Sequence, residues 1–117
     1  MITFYEYPRC TTCRKGKKFL DEHGIEFKAH DMVKAPPSKE TLKKIVEKSD
    51  QDIAKFFNSR GRKYKELDLK NRLPEMSDDE KIELLASDGM LIKRPLVDAG
   101  GDVLLGFKEA EYKEKLL

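Results

Sequence analysis

The stretch YPRCTTCRKGKKFL, residues 7–20, decides the reading of the fold. Within it Cys13, Gly16, Phe19 and Leu20 recur at three-and-four spacing, and His23 extends the same stripe. That period predicts a helix from Thr11 to His23 with one apolar face. Lys15, Lys17, Lys18, Asp21 and Glu22 fall mostly elsewhere, toward water. Gly24 supplies the stop. Upstream, ITFYEY is short, apolar and aromatic, which predicts a strand ended by Pro8. Downstream, IEFKAH alternates Ile25, Phe27 and Ala29 with polar residues, the pattern of a half-buried strand. Strand, helix, strand in this order favours a parallel pair joined by a right-handed crossover.

Beyond these elements, APPS breaks the chain, and Ser38 is placed to cap a helix to about Lys48 with Leu42, Ile45 and Val46 inward. IAKFFN continues in helical pattern, with Phe56 and Phe57 read as core residues. SRGRKYKEL reads as a basic loop entering a short helix. Ser77 and Glu80 form a capping box ahead of a helix whose apolar residues are Ile82, Leu85 and Ala86. PLV and VLLGF read as two short strands joined by a turn over Asp98–Asp102, and a last helix starts near Lys108 with Tyr112 and Leu116 one turn apart. The expected fold is α/β: a four-stranded mixed sheet with helices on both faces, thioredoxin-like (glutaredoxin-like), with an inserted helical subdomain. A single domain is expected over 1–117, its core at 1–34 and 88–117 and the insertion at 35–87.

Composition narrows the function. Charged residues make up 39% and hydrophobic residues 38%, a balance that supports one folded core under a solvated surface. The 24 basic and 22 acidic side chains nearly cancel, so overall charge makes no case for nucleic-acid or membrane binding. No apolar run approaches the ~18 residues of a membrane span. The start MITFYEYPRC lacks the layout of a secretory signal, and a cytoplasmic location is expected. In that compartment small thiols disfavour structural disulfides, so a close cysteine pair points to redox or metal chemistry.

Cys10 and Cys13 are the chain's two cysteines. Three readings compete: two inert buried thiols, a zinc site, or a reactive pair. Zinc needs about four ligands, and His23 and His30 are the remaining soft candidates. A reactive pair fits the position. Cys10 stands just before the helix, where unpaired N–H groups and the helix dipole favour a thiolate. Arg9 and Arg14 add positive potential. Cys13, one turn inside, shares the buried face, so Cys10 is the expected nucleophile and Cys13 the resolving thiol. In the KRP segment Pro95 opens the third strand, a position proline tolerates. A cis Arg94–Pro95 bond is expected there, with Arg94 aimed at the thiolate or at an anionic substrate.

The stretches YPRCTTCRK, PPSKETL, FFNSRGRKYKELDL and LASDGMLIKRPLV, with Gly106 and Phe107 beyond, resemble the arsenate reductase/Spx family across nearly the whole chain. The resemblance implies a thioredoxin-like fold with a helical insertion, a catalytic thiol at Cys10 and an arginine–proline turn at Arg94 and Pro95. It also marks departures from arsenate reductases. Asn58 and Phe107 stand where arginines would hold the oxyanion, Glu6 where a histidine would assist the thiol, and Cys13 where a serine is usual. The reading is therefore a cytosolic thiol–disulfide oxidoreductase, similar to arsenate reductase. Its catalytic groups are Cys10, Cys13 and Arg94, and its substrate contacts are Arg94, Pro95, Arg14 and Arg60. No bound cofactor or metal is expected. Electrons would come from a thiol reductant: thioredoxin, glutaredoxin or a low-molecular-weight thiol. The expected partner is a thiol–disulfide redox protein, without direct nucleic-acid or membrane binding. The alternative is an Spx-like redox-sensing regulator that binds the C-terminal domain of the RNA polymerase α subunit through its C-x-x-C switch.

Overall fold

A computed structural model describes residues 2–117. β1 (Ile2–Glu6) leads through Pro8 into α1 (Thr11–Glu22), and β2 (Phe27–Asp31) returns beside it. β3 (Leu96–Ala99) and β4 (Asp102–Leu105) complete a sheet of order β2-β1-β3-β4. β1 pairs parallel to β2 and antiparallel to β3, and β3 pairs antiparallel to β4. The sheet is thus mixed and four-stranded, as the element order implies.

Strand alternation sends neighbouring residues to opposite faces. Phe4, Val97 and Leu104 sit side by side across the sheet and pack against Phe19 and Leu20 of α1 and Tyr112 of α6 (Glu109–Leu116). Tyr5, Leu96 and Val103 face the other way. They meet Met32 and the helices between β2 and β3: α2 (Lys39–Ser49), α3 (Arg62–Glu66), α4 (Leu69–Arg72) and α5 (Asp78–Ser87). Leu42, Ile45, Phe56, Leu85, Leu91 and Ile92 form that core. Each such side chain contributes about 1.5–3 kcal/mol when fully buried. Lys48 of α2 also pairs with Asp98 of β3, a tie between insertion and sheet.

The helix caps follow from local chemistry. Ser38 Oγ accepts the Thr41 N–H at 3.2 Å, and Ser77 and Glu80 complete a reciprocal capping box at 3.0 and 3.1 Å. IAKFFN forms a tight 3₁₀ turn over Ile53–Phe56, capped by Asp52, and Phe56 and Phe57 are buried as expected. Two expectations fail. His23 leaves the buried face of α1: it is exposed, caps the helix end, and stacks its ring 4.1 Å from that of Phe19. Ala29 is exposed too, because β2 is an edge strand and its alternation is only partly covered.

Candidate functional site

Cys10 is the N-cap of α1. Its backbone is extended (φ −78, ψ 122), its N–H donates to the Tyr7 carbonyl at 2.8 Å, and its carbonyl accepts the Arg14 N–H at 3.1 Å. The Cys10 Sγ takes the place a serine oxygen fills at Ser38. It accepts the Cys13 backbone N–H at 3.3 Å, so a helix-start donor points at sulfur. Burial alone would raise the Cys10 pKa. Hydrogen bonds from the Cys13 side chain and backbone and from the Arg94 guanidinium, with the charge of Arg94, outweigh it and hold the thiol below its ordinary value.

Cys13 is the opposite case. It has no solvent exposure, against the half-buried Cys10. Burial pushes its thiol up to about 12, and the neighbouring Cys10 adds to the rise, while a backbone hydrogen bond from Tyr7 and the charge of Arg94 only partly offset it. The two sulfurs are therefore split in acidity, Cys10 the more acidic and Cys13 held protonated, and they are hydrogen-bonded to each other.

Arg94 precedes Pro95 across a cis peptide bond, as the KRP segment suggested. Its guanidinium lies 5.1 Å from the centre of the Tyr7 ring and 3.5 Å from the Met90 sulfur. The aromatic face, the soft sulfur and the Cys10 sulfur together fix the planar group. Pro95 is buried and contributes structure at the strand end, its carbonyl accepting the Gly106 N–H at 2.9 Å.

A cleft of about 500 Å³ opens over Cys10. Arg60, Lys93, Arg94 and Lys108 line it, with Asn58 and Phe107, and no carboxylate does. Arg60 reaches this cleft through a long-range contact. Phe57 bridges Ile92, the Asn58 N–H donates to the Leu91 carbonyl at 2.8 Å, and the Lys93 N–H donates to the Phe56 carbonyl at 2.7 Å. That short ladder ties the segment after the 3₁₀ turn to the one before Arg94. Arg14 lies outside the cleft lining, its Nε donating to the Pro8 carbonyl at 3.0 Å. Lys93 and Lys108 are the cations that sequence reasoning did not single out. Lys93 stands beside Arg94 in the KRP segment, and that adjacency was the available signal.

Phe107 turns its ring to Phe19 and Tyr112, at 5.9 and 4.8 Å, so it supplies no charge to the cleft. Glu6 is buried at the end of β1 and paired with Lys17 at 3.2 Å. The two histidines are engaged elsewhere, His23 Nδ1 lying 2.8 Å from the Phe19 carbonyl and His30 Nε2 2.6 Å from that of Ala35. Among the described residues no group of three or more His, Cys, Asp or Glu side chains is placed to hold a metal ion.

The ArsC family model matches residues 5–115. The chain belongs to the ArsC family. Among its relatives, the uncharacterized protein YusI of Bacillus subtilis is 58% identical, over 97% of this chain and 96% of its own length. The regulatory protein MgsR of the same organism is 34% identical over 94% and 86%. The global transcriptional regulator Spx of Streptococcus mutans is 28% identical over 97% and 83%. Solved structures agree with the architecture. SACOL0876 from Staphylococcus aureus superposes with a TM-score of 0.92 at 53% identity, covering 100% of this chain and 99% of that one. An arsenate reductase from Vibrio cholerae superposes with 0.87 at 26%, covering 98% and 97%. The fold is therefore the thioredoxin-like fold of ArsC proteins. Among the described residues no helix is long and apolar enough to cross a membrane.

Proposed function

We propose that this ArsC-family protein is a cytoplasmic two-cysteine thiol–disulfide oxidoreductase. The observation that carries the reading is the asymmetry of the two sulfurs. Cys10 is accessible, lowered in pKa and faced by Arg94, whereas Cys13 is wholly buried and held protonated. A thiolate attacks, and a buried thiol waits.

The exchange runs in two steps. The Cys10 thiolate attacks one sulfur of a substrate disulfide. That S–S bond breaks, Cys10 is left in a mixed disulfide, and the other sulfur departs as a thiolate that takes a proton. While Cys10 is anionic it helps keep Cys13 protonated. In the mixed disulfide that charge is gone, so Cys13 loses its proton more readily. Its thiolate then attacks Cys10 Sγ, forms the Cys10–Cys13 disulfide and releases the second substrate sulfur. Two electrons have passed from protein to substrate. A thiol reductant (thioredoxin, glutaredoxin or a low-molecular-weight thiol) returns the pair to the dithiol by the reverse exchanges. Arg94 acts on Cys10 by stabilising its thiolate, and Arg60, Lys93 and Lys108 favour anionic substrates at the cleft.

Brief iodoacetamide treatment near neutral pH, read by mass spectrometry, tests the assignment. Cys10→Ser should abolish rapid labelling, and Cys13→Ser should keep it and accumulate a mixed disulfide at Cys10. Labelling of Cys13 first, or of neither thiol before unfolding, sinks the proposal.

The similarity to MgsR and Spx supports a second reading, a redox-sensing regulator whose partner is the C-terminal domain of the RNA polymerase α subunit. Exposed Arg60, Arg62 and Lys63 would form part of its docking surface. Thiol-independent recovery of polymerase α in a pull-down would favour this reading. Recovery of thioredoxin or glutaredoxin on the Cys13→Ser variant would favour the enzyme.

A further inference from the structure

β4 is an edge strand, and its unpaired side can be assigned residue by residue. The Gly106 N–H donates to the Pro95 carbonyl at 2.9 Å, and the β3–β4 register opposes Val97 to Leu104 and Ala99 to Asp102. In an antiparallel ladder hydrogen-bonded pairs alternate with non-bonded ones. Asp102 and Leu104 therefore spend their backbone groups on β3, as Gly106 does its N–H, its carbonyl accepting the Tyr112 hydroxyl at 2.8 Å, and Val103 and Leu105 turn theirs outward. Gln51 confirms the direction: its Nε2 reaches the Val103 carbonyl from the outer side, at a long 3.4 Å.

This edge forms part of the lining of a trough of about 620 Å³. Lys55 lines it from the 3₁₀ turn, Lys115 from α6, and Lys93 and Lys108 where it runs into the Cys10 cleft. Asp102 and Glu111 are the acidic residues of the lining, so the lysines leave it net positive. Phe57, Ser59 and Leu105 also belong to both depressions, which makes them one continuous path to the sulfur. β2, the other sheet edge, contributes to neither.

We propose that the trough binds an extended acidic peptide segment of a partner protein. It pairs as a fifth strand with Val103 and Leu105 and delivers an oxidised cysteine to Cys10. The backbone supplies the Val103 N–H, the Leu105 N–H and the Leu105 carbonyl, the geometry of strand addition. The lysines select acidic side chains. At about 3.4 Å per residue, roughly six residues span β4 and reach the cleft. This deepens the oxidoreductase reading and rests on it. The dithiol gives two electrons to the peptide's disulfide, which leaves as two thiols, and Cys10 and Cys13 become a disulfide.

The probe is an acetylated, amidated peptide of alternating glutamate and valine ending in Gly-Cys, its cysteine held as a disulfide with nitrothiobenzoate. Pre-reduced protein in excess releases the coloured thiolate in a single turnover. The expected rate constant at limiting concentration is at least about tenfold above that of two controls. One is the same peptide N-methylated at alternate residues, and the other carries lysine for glutamate. In the Cys10→Ser variant, the acidic peptide should slow amide exchange at Val103 and Leu105 and leave Leu104 unchanged. Equal rates for the three peptides, or exchange unchanged at Val103 and Leu105, overturn the proposal: the lysines then merely guard an edge strand against aggregation. If all three peptides and a small aromatic disulfide are inert, the reading of Cys10 fails. The exchange experiment still judges the trough separately.

Discussion

Replacing Gly89 with alanine tests how the loop that presents Arg94 is anchored. Gly89 opens the 3₁₀ turn Gly89–Leu91, five residues before Arg94. A Cβ there would lie 1.9 Å from the Met32 carbonyl oxygen, 2.6 Å from its carbon and 3.0 Å from Val33 Cα. All three are backbone atoms, so no side-chain rotation relieves the overlap. Ordinary contact begins near 3.4 Å, so the two segments must part by about 1.5 Å, well beyond what a packed interior absorbs. Both sides are tied. The Met32 N–H donates to the Glu6 carbonyl at 2.9 Å, the Met90 N–H to Asp88 Oδ1 at 2.8 Å, and the Ile92 N–H to the Gly89 carbonyl at 3.2 Å. Overpacking costs about 1–3 kcal/mol even where neighbours can yield, and each lost hydrogen bond adds about 1 kcal/mol. The expected loss is about 3–5 kcal/mol. At roughly 4–8 °C per kcal/mol for a domain near this size, Tm should fall by about 12 °C or more. Thermal unfolding followed by circular dichroism measures it. Gly101→Ala is the control: nothing lies within 4 Å of its Cβ, and its effect should stay within about 0.5 kcal/mol. A Tm loss for Gly89→Ala under about 4 °C would refute the argument. Alkylation of Cys10, measured well below Tm, should also slow, because Arg94 moves with the loop.

Arg94→Ala should slow Cys10 alkylation near neutral pH much more than it lowers Tm, and Arg94→Lys should recover only part of the rate; parallel loss of rate and folding would remove the assigned role. The alkylation rate should fall as pH drops through a midpoint below the ordinary thiol value of 9.0, with Cys13→Ala shifting that midpoint upward relative to Cys13→Ser, which keeps a donor; identical profiles would refute the Cys13 hydrogen bond. For Cys13 the linkage has the opposite sign: folded and raised to about 12 against an ordinary 9.0, it holds its proton where the unfolded chain loses it, so its contribution to stability is present below pH 9 and declines between about 9 and 12. Denaturant titrations over that range should show a steeper decline for wild type than for Cys13→Ser. Arsenate should be turned over poorly even with a thiol system present, because Asn58 brings no charge and Phe107 is spent on an aromatic cluster; efficient turnover by purified protein would contradict this.

What could be read in the sequence was set by interactions within a few residues. The stripe Cys13, Gly16, Phe19 and Leu20 is buried, Ser38 and Ser77 cap their helices, and Cys10 stands at a helix start. Each depends on one turn of chain. His23 and Ala29 misled because their local periods were sound and their neighbours were missing: the helix ends at His23, and β2 has the sheet on one side only. The Phe57–Ile92 bridge, which places Arg60 in the lining of the Cys10 cleft, joins segments thirty-five residues apart and has no local signature. Gly89 is similar. Its need for a bare Cα comes from Met32, far away in the chain.

The two apolar clusters on opposite faces of the sheet give the thiol pair an unusual vantage. Cys10 is carried by α1, whose Phe19 and Leu20 belong to one cluster. Arg94 is flanked by Ile92 and Leu96, which belong to the other. The contact through which Arg94 lowers the Cys10 pKa thus spans the seam between two separately packed clusters. Loosening one half against the other would draw Arg94 away from Cys10 and so change the acidity of a single sulfur. The rate at which Cys10 reacts with a small alkylating agent is a built-in gauge of how tightly the two halves are joined.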